Sequence, residues 1–504
     1  MDSKAFFRRI DWVKTLVPFA GMALLCALFI FMPDGSKDTL DRIGKFFRDD
    51  CGLYFGVLGV GVFCLSMWIA FSKYGKVRLG NLEKPQYGDF MWGAMIFTSA
   101  LAADILFYSL SEWAMYSADP HVQSMGDMQM WAPTYPLFHW GPIAWTFHIV
   151  LAVCFGFMLH VRSRNRQCFS EACRPLLGNR MDKGWGRFID IVAIIAMLAG
   201  IATTFSLATP LLSASVSEVT GLTDGKGLTI AILVLIAVIY TIAVLAGMKG
   251  ISKLAKWCMY CFFAFLAYVL FAGGETRYIL ETGFQSLGNL VQNFVGMATY
   301  VDPLRETSFP QDWTLFYWAY WMAWTIGTPF FIGMISKGRT IRNTILGGYG
   351  WALAGTFTSF IILGNYGLAQ QMKHGLDVID IAATQDYYTA ILAILHTLPL
   401  AKIALVLLVV TMIMFYSTSF DTLTMIAATY SYRTIKSGEE PDKRMRTFWA
   451  IMFILLPIGL IFSESSMYGL QSVSIIAAFP VGIVIILMII SFFKDIRKYL
   501  TEKK

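Results

Sequence analysis

The chain has 504 residues, 57% of them hydrophobic, 15% aromatic and only 14% charged, with a formal net charge of +7. A soluble protein of this length would divide into two or more domains. Repeated apolar runs of the roughly 20 residues that cross a bilayer exclude that reading, and the positive balance becomes a question of which loops hold Lys and Arg, not a nucleic-acid signature.

Twelve spans are expected, over residues 14–32, 52–72, 89–112, 139–161, 188–213, 227–248, 255–273, 312–335, 343–365, 400–427, 447–463 and 470–493. The first follows a basic stretch (Lys4, Arg8, Arg9, Lys14) but is too long for a signal-peptide core, so it reads as a retained helix. The 162–187 loop carries seven Lys and Arg residues, and the loops around Lys76, Lys249, Lys337 and Arg444 fall on its side. The 117–138 loop has no Lys or Arg and holds Asp119 and Asp127. The positive-inside bias therefore puts both termini in the cytoplasm of a multi-pass, inner-membrane protein. The eight Cys are scattered, most within apolar runs, and form no disulfide framework; Cys258 and Cys261 have no His or second Cys pair nearby.

Two segments fit poorly as spans. Residues 276–299 repeat apolar positions every three or four residues with polar ones between, the pattern of an amphipathic helix at the outer interface. Residues 384–398 read as a shorter external or re-entrant helix.

Several polar and aromatic residues sit where lipid would not want them. Asp104 lies inside the third span, about 22 Å along the helix from Asp89 and about 12 Å from Glu112. A carboxylate at that depth costs a few kcal/mol, so the default reading is functional: a proton carrier. The alternative is a hydrogen-bonded structural Asp. The small residues before it (Ser99, Ala100, Ala102, Ala103) allow close backbone approach or local unwinding. Trp140 and Trp145 open the fourth span, where an interfacial belt competes with a ligand role. His139 and His148 there read either as packing residues or as relays.

The stretch from Phe309 to Asn343 is the most unusual. It carries Trp313, Trp318, Trp321 and Trp324 with Tyr317 and Tyr320, and ends on Lys337, Arg339 and Arg342. Trp324 lies about 16 Å from Trp313 along a helix, half of a hydrocarbon core roughly 30 Å thick. A belt does not explain an indole at that depth, whereas an aromatic box that grips a quaternary ammonium group by cation–π attraction does. In the tenth span Thr418, Ser419 and Asp421 stand among apolar neighbours. Hydroxyls and carbonyls at a broken helix are what a Na⁺ site uses, and hydroxyls bonded back to their own helix are the competing reading.

These residues carry a family resemblance. W-T-L-F-Y-W-A-Y-W-M-A-W followed by I-S-K-G-R-T-I-R, F-H-W-x-x-x-x-W in the fourth span and T-S-x-D in the tenth resemble the signature of the betaine/choline/carnitine transporter (BCCT) family, almost end to end. The resemblance implies an all-α integral membrane protein of about twelve helices with the leucine-transporter-type fold. The expected units are an N-terminal tail with two extra helices (1–88), a first inverted repeat (89–273), an interfacial helix and linker (274–311), a second repeat (312–493) and a short basic tail (494–504). A homotrimer in the lipid bilayer is also implied, with no nucleic-acid partner.

By the same resemblance Tyr320, Trp321 and Trp324 form the central substrate box, with Trp140 and Trp145 as partners and Trp313 as an outer, transient contact. His148 replaces a ring the family often supplies, and Tyr320 stands where Trp is usual. Sodium-coupled betaine carriers resemble each other in a G-x-G-x-G run that is A-L-A-A-D here, ending on Asp104, as in the proton-coupled choline carriers. Cys258 stands, by a loose alignment, where sodium-independent carnitine/γ-butyrobetaine exchangers place an Arg. Thr418 and Ser419 resemble the hydroxyls of the family's sodium site. The expected function is uptake of a trimethylammonium substrate, choline by H⁺ symport, with Na⁺ coupling kept open and no enzymatic cofactor. Carnitine or betaine transport or exchange is the alternative. A lipid-headgroup enzyme or a channel is the reading from another class, disfavoured because no metal-ligand cluster or nucleophile–base constellation is present.

Overall fold

The computed structural model describes residues 3–100, 103–164, 166, 168–435, 439–463 and 467–503. Among these the only β features are two isolated bridges, Ile10–Tyr432 and Arg78–Thr340; the rest is helix and connection. The long helices are α1 (Trp12–Phe31), α2 (Pro33–Asp49), α3 (Gly52–Phe71), α4 (Asp89–Ala100), α5 (Asp104–Ser117), α6 (Pro142–His160), α7 (Gly184–Thr220), α8 (Lys226–Leu245), α9 (Met248–Ala272) and α10 (Thr276–Thr299). They continue with α11 (Phe316–Ala323), α12 (Thr328–Ile335), α13 (Ile341–Ser359), α14 (Tyr387–His396), α15 (Ala401–Tyr430), α16 (Lys443–Ser463) and α17 (Met467–Glu502).

Among the described residues eight helices are long and apolar enough to cross a membrane, and the bent pair α4–α5 makes a ninth. The other expected spans are helical too, but shorter or interrupted. The apolar core of α1 is short, α16 begins with Lys443, Arg444 and Arg446, and the eighth span is divided. Burial separates the roles of the crossings. The window containing α6 is 94% buried, whereas that of α8 is 33% buried. Val234, Leu235, Val238 and Ile242 of α8 point outward, which lipid satisfies and water would not.

Two spans are broken, and both breaks have a sequence cause. Between α4 and α5 the axis turns by 70° among small residues; Ala102, expected to contribute there, lies outside the described residues. The eighth span divides into a π turn at Pro310–Leu315, α11, a 3₁₀ turn at Trp324–Ile326, and α12. Pro329 has no amide hydrogen to give the preceding turn, and Gly327 lets Leu423 of α15 approach where a Cβ would stand 2.7 Å from its methyl. Both broken spans are the ones expected to open the two five-helix repeats. The tenth span differs from expectation. It is not broken: α15 runs through Thr418, Ser419 and Asp421 without interruption because it contains neither Gly nor Pro.

Residues 33–49, left between spans by hydropathy, form the charged helix α2, started by Pro33 at its first position. The expected interfacial helix is α10. It leaves Leu280, Phe284, Val291 and Val295 exposed and turns Thr282, Gly283, Ser286 and Asn289 inward, the arrangement for apolar contact outside and close helix packing within. Residues 384–398 contain α14, preceded by a short helix at Val378–Thr384. The central pair α6 and α12 pack closely because both present glycine. A Cβ at Gly333 would lie 2.7 Å from the Ala152 carbonyl, and one at Gly156 would meet the Gly333 carbonyl at 3.4 Å.

Candidate substrate and coupling site

The break before α5 presents Asp104 as that helix's first residue, 4% exposed. Tyr320 of α11 donates its hydroxyl to Asp104 Oδ2 at 2.7 Å. The Thr204 hydroxyl of α7 lies 2.7 Å from the Tyr320 oxygen and 3.4 Å from Asp104 Oδ2. Because the phenol proton is committed to the carboxylate, Thr204 donates to the phenol oxygen. Among the described residues no Lys, Arg or His forms an ion pair with Asp104. The two departures from the family pattern thus meet: the Tyr that replaces Trp supplies the hydroxyl that the added carboxylate accepts.

Trp321 is the hub of the rings. Its centroid is 5.6 Å from Trp140, 5.1 Å from Trp145 and 5.2 Å from His148, the last two residues lying on α6 one turn apart. Trp324 meets Tyr320 edge-on at 6.5 Å and approaches α7 at Gly200, where a Cβ would stand 3.1 Å from its indole nitrogen. All of these side chains are buried within the protein. The belt reading of Trp140 and Trp145 does not hold, since neither faces the surroundings. Two buried nitrogens in this group, Trp145 Nε1 and Trp321 Nε1, make no hydrogen bond in the protein, whereas the His148 ring meets the Trp324 backbone. Buried polar atoms are nearly always satisfied, so these are positions where a ligand's acceptor group or an ordered water fits.

Trp313 stands apart from the box. It is half-buried, packs on Tyr116 at 4.8 Å, donates its indole N–H to Asp119 Oδ2 at 3.2 Å, and lines a cavity of about 760 Å³ with Tyr108, Met115 and Asp312. By the loop charges this cavity is on the side expected to face outward.

The proposed cation residues form a separate cluster. Thr98 and Ser99 of α4 meet Thr418, Asp421 and Thr422 of α15 across a gap with no room for a water molecule. The Thr418 hydroxyl donates to the Phe415 carbonyl at 3.0 Å and lies 3.9 Å from Cys258 Sγ. Thr418 therefore keeps its oxygen lone pairs while its proton bonds back to the helix. Ser419 is buried beside it. Asp421 accepts from Thr422 at 3.0 Å through Oδ1 and leaves buried Oδ2 without a partner.

Sequence reasoning used Glu112 only to mark the helix end, and missed its surroundings. Glu112 is fully buried and accepts the indole N–H of Trp140 at 2.9 Å and the hydroxyl of Tyr116. The signal was available: a second acid eight residues after Asp104 in the same apolar run. Thr204 gave none, being one hydroxyl among many in α7.

The profile of the family described as "BCCT, betaine/carnitine/choline family transporter" matches residues 14–501. The chain belongs to this family. A BCCT relative, the probable glycine betaine transporter of Desulfitobacterium hafniense, is 30% identical over 95% of this chain and 96% of its own. The carnitine transporter of Acinetobacter baumannii is 26% identical over 83% of this chain and 76% of its own. A solved Na⁺-coupled sialic acid symporter, in a substrate-bound outward-open state, superposes with a TM-score of 0.44 at 10% identity, covering 84% of this chain and 82% of that one. As a BCCT member the chain is a multi-pass membrane transporter and not an enzyme.

Proposed function

We propose that this BCCT protein imports a quaternary ammonium compound, choline first, by proton symport through Asp104. The observation that carries the reading is the Tyr320–Asp104 hydrogen bond, which joins a carboxylate without a basic partner to a ring of the box. Choline is a cation with no carboxylate, so an acid beside the rings complements its charge, whereas the carboxylate of betaine or carnitine meets repulsion from an ionised Asp104. Trp140, Trp145, His148, Tyr320, Trp321 and Trp324 take the methylated headgroup, and Trp313 meets the substrate first. The protein is proposed to act in the inner membrane as a homotrimer with both termini cytoplasmic. The loop charges support the orientation, and the trimer rests on family membership alone.

The test is radiolabelled choline uptake into liposomes. A pH gradient drives accumulation, and Asp104→Gly abolishes that dependence. Sodium-driven uptake indifferent to Asp104→Gly overturns the proposal. One observation favours a second reading. The unpartnered donors of Trp145 and Trp321 suit a ligand that brings a carboxylate as well as an ammonium, and the named relatives carry betaine and carnitine. Counterflow with labelled carnitine distinguishes an exchanger of that kind, since its label moves only when unlabelled substrate waits on the other side.

A further inference from the structure

Symport of a cation with a proton raises a question of charge that one acid does not answer. If Asp104 alone received both, the arriving ammonium would expel the proton, and the two would exchange instead of travelling together. Resting on the symport reading above, the protein needs a second acceptor near the rings.

Glu112 has the required position and connections. One carboxylate oxygen accepts from Trp140, the box ring that packs on Trp321. The other accepts from Tyr116, whose oxygen lies 2.5 Å from His139 Nδ1, and His139 Nε2 lies 2.9 Å from the Thr314 hydroxyl. Tyr116, His139 and Thr314 are all buried, and they come from α5, the short helix Thr134–His139 and the π turn Pro310–Leu315. The far end of this file adjoins Trp313 and Asp312, which line the outer cavity.

The hydrogen-bond arithmetic allows the file two polarities. With Glu112 ionised, Thr314 donates to Nε2, Nδ1–H donates to the Tyr116 oxygen, and Tyr116 donates to the carboxylate. When a proton arrives at the Thr314 oxygen, the threonine proton moves to Nε2. The Nδ1 proton then moves to the Tyr116 oxygen, and the phenol proton moves to Glu112. The result is a neutral acid donating back along a reversed file, with one proton gained and the Thr314 hydroxyl turned toward the side from which the proton came.

We propose that Glu112 is a second protonation site of the transporter, reached from the outer vestibule along Thr314, His139 and Tyr116. The titratable groups around it are Asp104, Tyr108 and Tyr116 on its own run, Tyr135 and His139 from the segment before α6, and Tyr317 from α11. Asp386, Tyr387 and Tyr388 stand at the start of the adjoining α14; Asp119, His121 and Asp312 lie toward the vestibule, with Arg48 of α2 3.9 Å from Asp312. Among the described residues no Lys or Arg forms an ion pair with Glu112.

Infrared difference spectroscopy on the reconstituted protein, titrated from about pH 9 to about pH 5 without substrate, tests this directly. The expected result is a protonated-carboxyl carbonyl band that vanishes in Glu112→Gln and survives in Asp104→Asn. After a pH jump, Tyr116→Phe, which keeps the acid and interrupts the file, is expected to fill that band at least about tenfold more slowly. A titration in which Glu112→Gln and the unaltered protein give the same bands overturns the proposal, as does filling at the unaltered rate in Tyr116→Phe. If Glu112→Gln does not fold, the Tyr116→Phe rate decides. No substrate is present, so failure of choline uptake leaves this result standing, and a missing Glu112 band leaves the choline reading to its own assay.

Discussion

The residues proposed to select the substrate are separable from those that only fill space, although both are tryptophans on α11. Trp321 touches Trp140, Trp145 and His148. Trp318 instead packs against α3, where a Cβ at Gly59 would stand 3.1 Å from its ring. A desolvated cation–π contact is worth about 2 kcal/mol, so Trp321→Leu is expected to weaken choline binding roughly thirtyfold, measured by scintillation proximity. Trp318→Phe is expected to lower thermal stability and leave that affinity within about threefold. Tyr320→Phe tests the other half of the site. It keeps the ring, removes the phenol donor to Asp104, and is expected to change the pH dependence of binding more than its maximum. With that donor gone, the pH profile of binding is expected to move from that of the unaltered protein. An unshifted profile would show that the hydroxyl does not tune the acid.

At the scale of elements, the two interruptions that build the site were legible and the network behind it was not. Small residues before Asp104, and Gly327 and Pro329 after Trp324, mark breaks that single-chain chemistry enforces. The aromatic spacing along residues 313–324 likewise announced a box, since depth follows from rise per residue. Hydrogen bonds between distant segments carry no such local signature: Thr204 and Tyr320 are 116 positions apart, and His139 and Thr314 are 175. The continuity of α15 was misjudged for a related reason. Its polar run resembles a broken helix, but hydroxyls that bond back, Thr418 to Phe415 and Thr422 to Thr418, satisfy themselves without unwinding the backbone. The close α6–α12 contact gives a prediction that belongs at this scale. Gly333→Val places a side chain against the Ala152 carbonyl, and overpacking of this kind costs about 1–3 kcal/mol. A lowered Tm in detergent is the expected outcome, and an unchanged Tm would mean that the two helices are free to separate.

For the whole molecule, the box lies between two openings that one set of contacts keeps distinct. The outer cavity of about 760 Å³ is lined by α2, α5 and Trp313. A second cavity of about 350 Å³ is lined by Leu159 and His160 of α6, Phe330 and Met334 of α12, Thr422 and Ile426 of α15, and Glu439 and Glu440. Near this second opening the backbone around 77–86 pairs with that around 337–341. Leu79 donates to the Arg339 carbonyl at 2.8 Å, Gly338 to Leu79 at 2.7 Å and Ile341 to Val77 at 2.8 Å. Buried Arg339 bonds Asp89 at 2.8 Å and covers the Trp92 ring at 3.9 Å. These ties join the first helix of one repeat to the broken helix of the other, so α4 and α12 are expected to move together. The second cavity, which α12 and α15 both line, is then expected to open and close as α15 shifts against α12. In a background freed of the eight native cysteines, Met115→Cys reports the outer cavity and Ile426→Cys the inner one, each by its rate of labelling with a thiol reagent. Substrate is expected to change the two rates in opposite directions, because a single rocking motion closes one mouth as it opens the other. Arg339→Ala, which unties α4 from α12, is expected to leave Ile426→Cys labelled at a rate that substrate no longer alters. If substrate slows or speeds both sites together, the two cavities belong to one continuous channel and the rocking account is wrong.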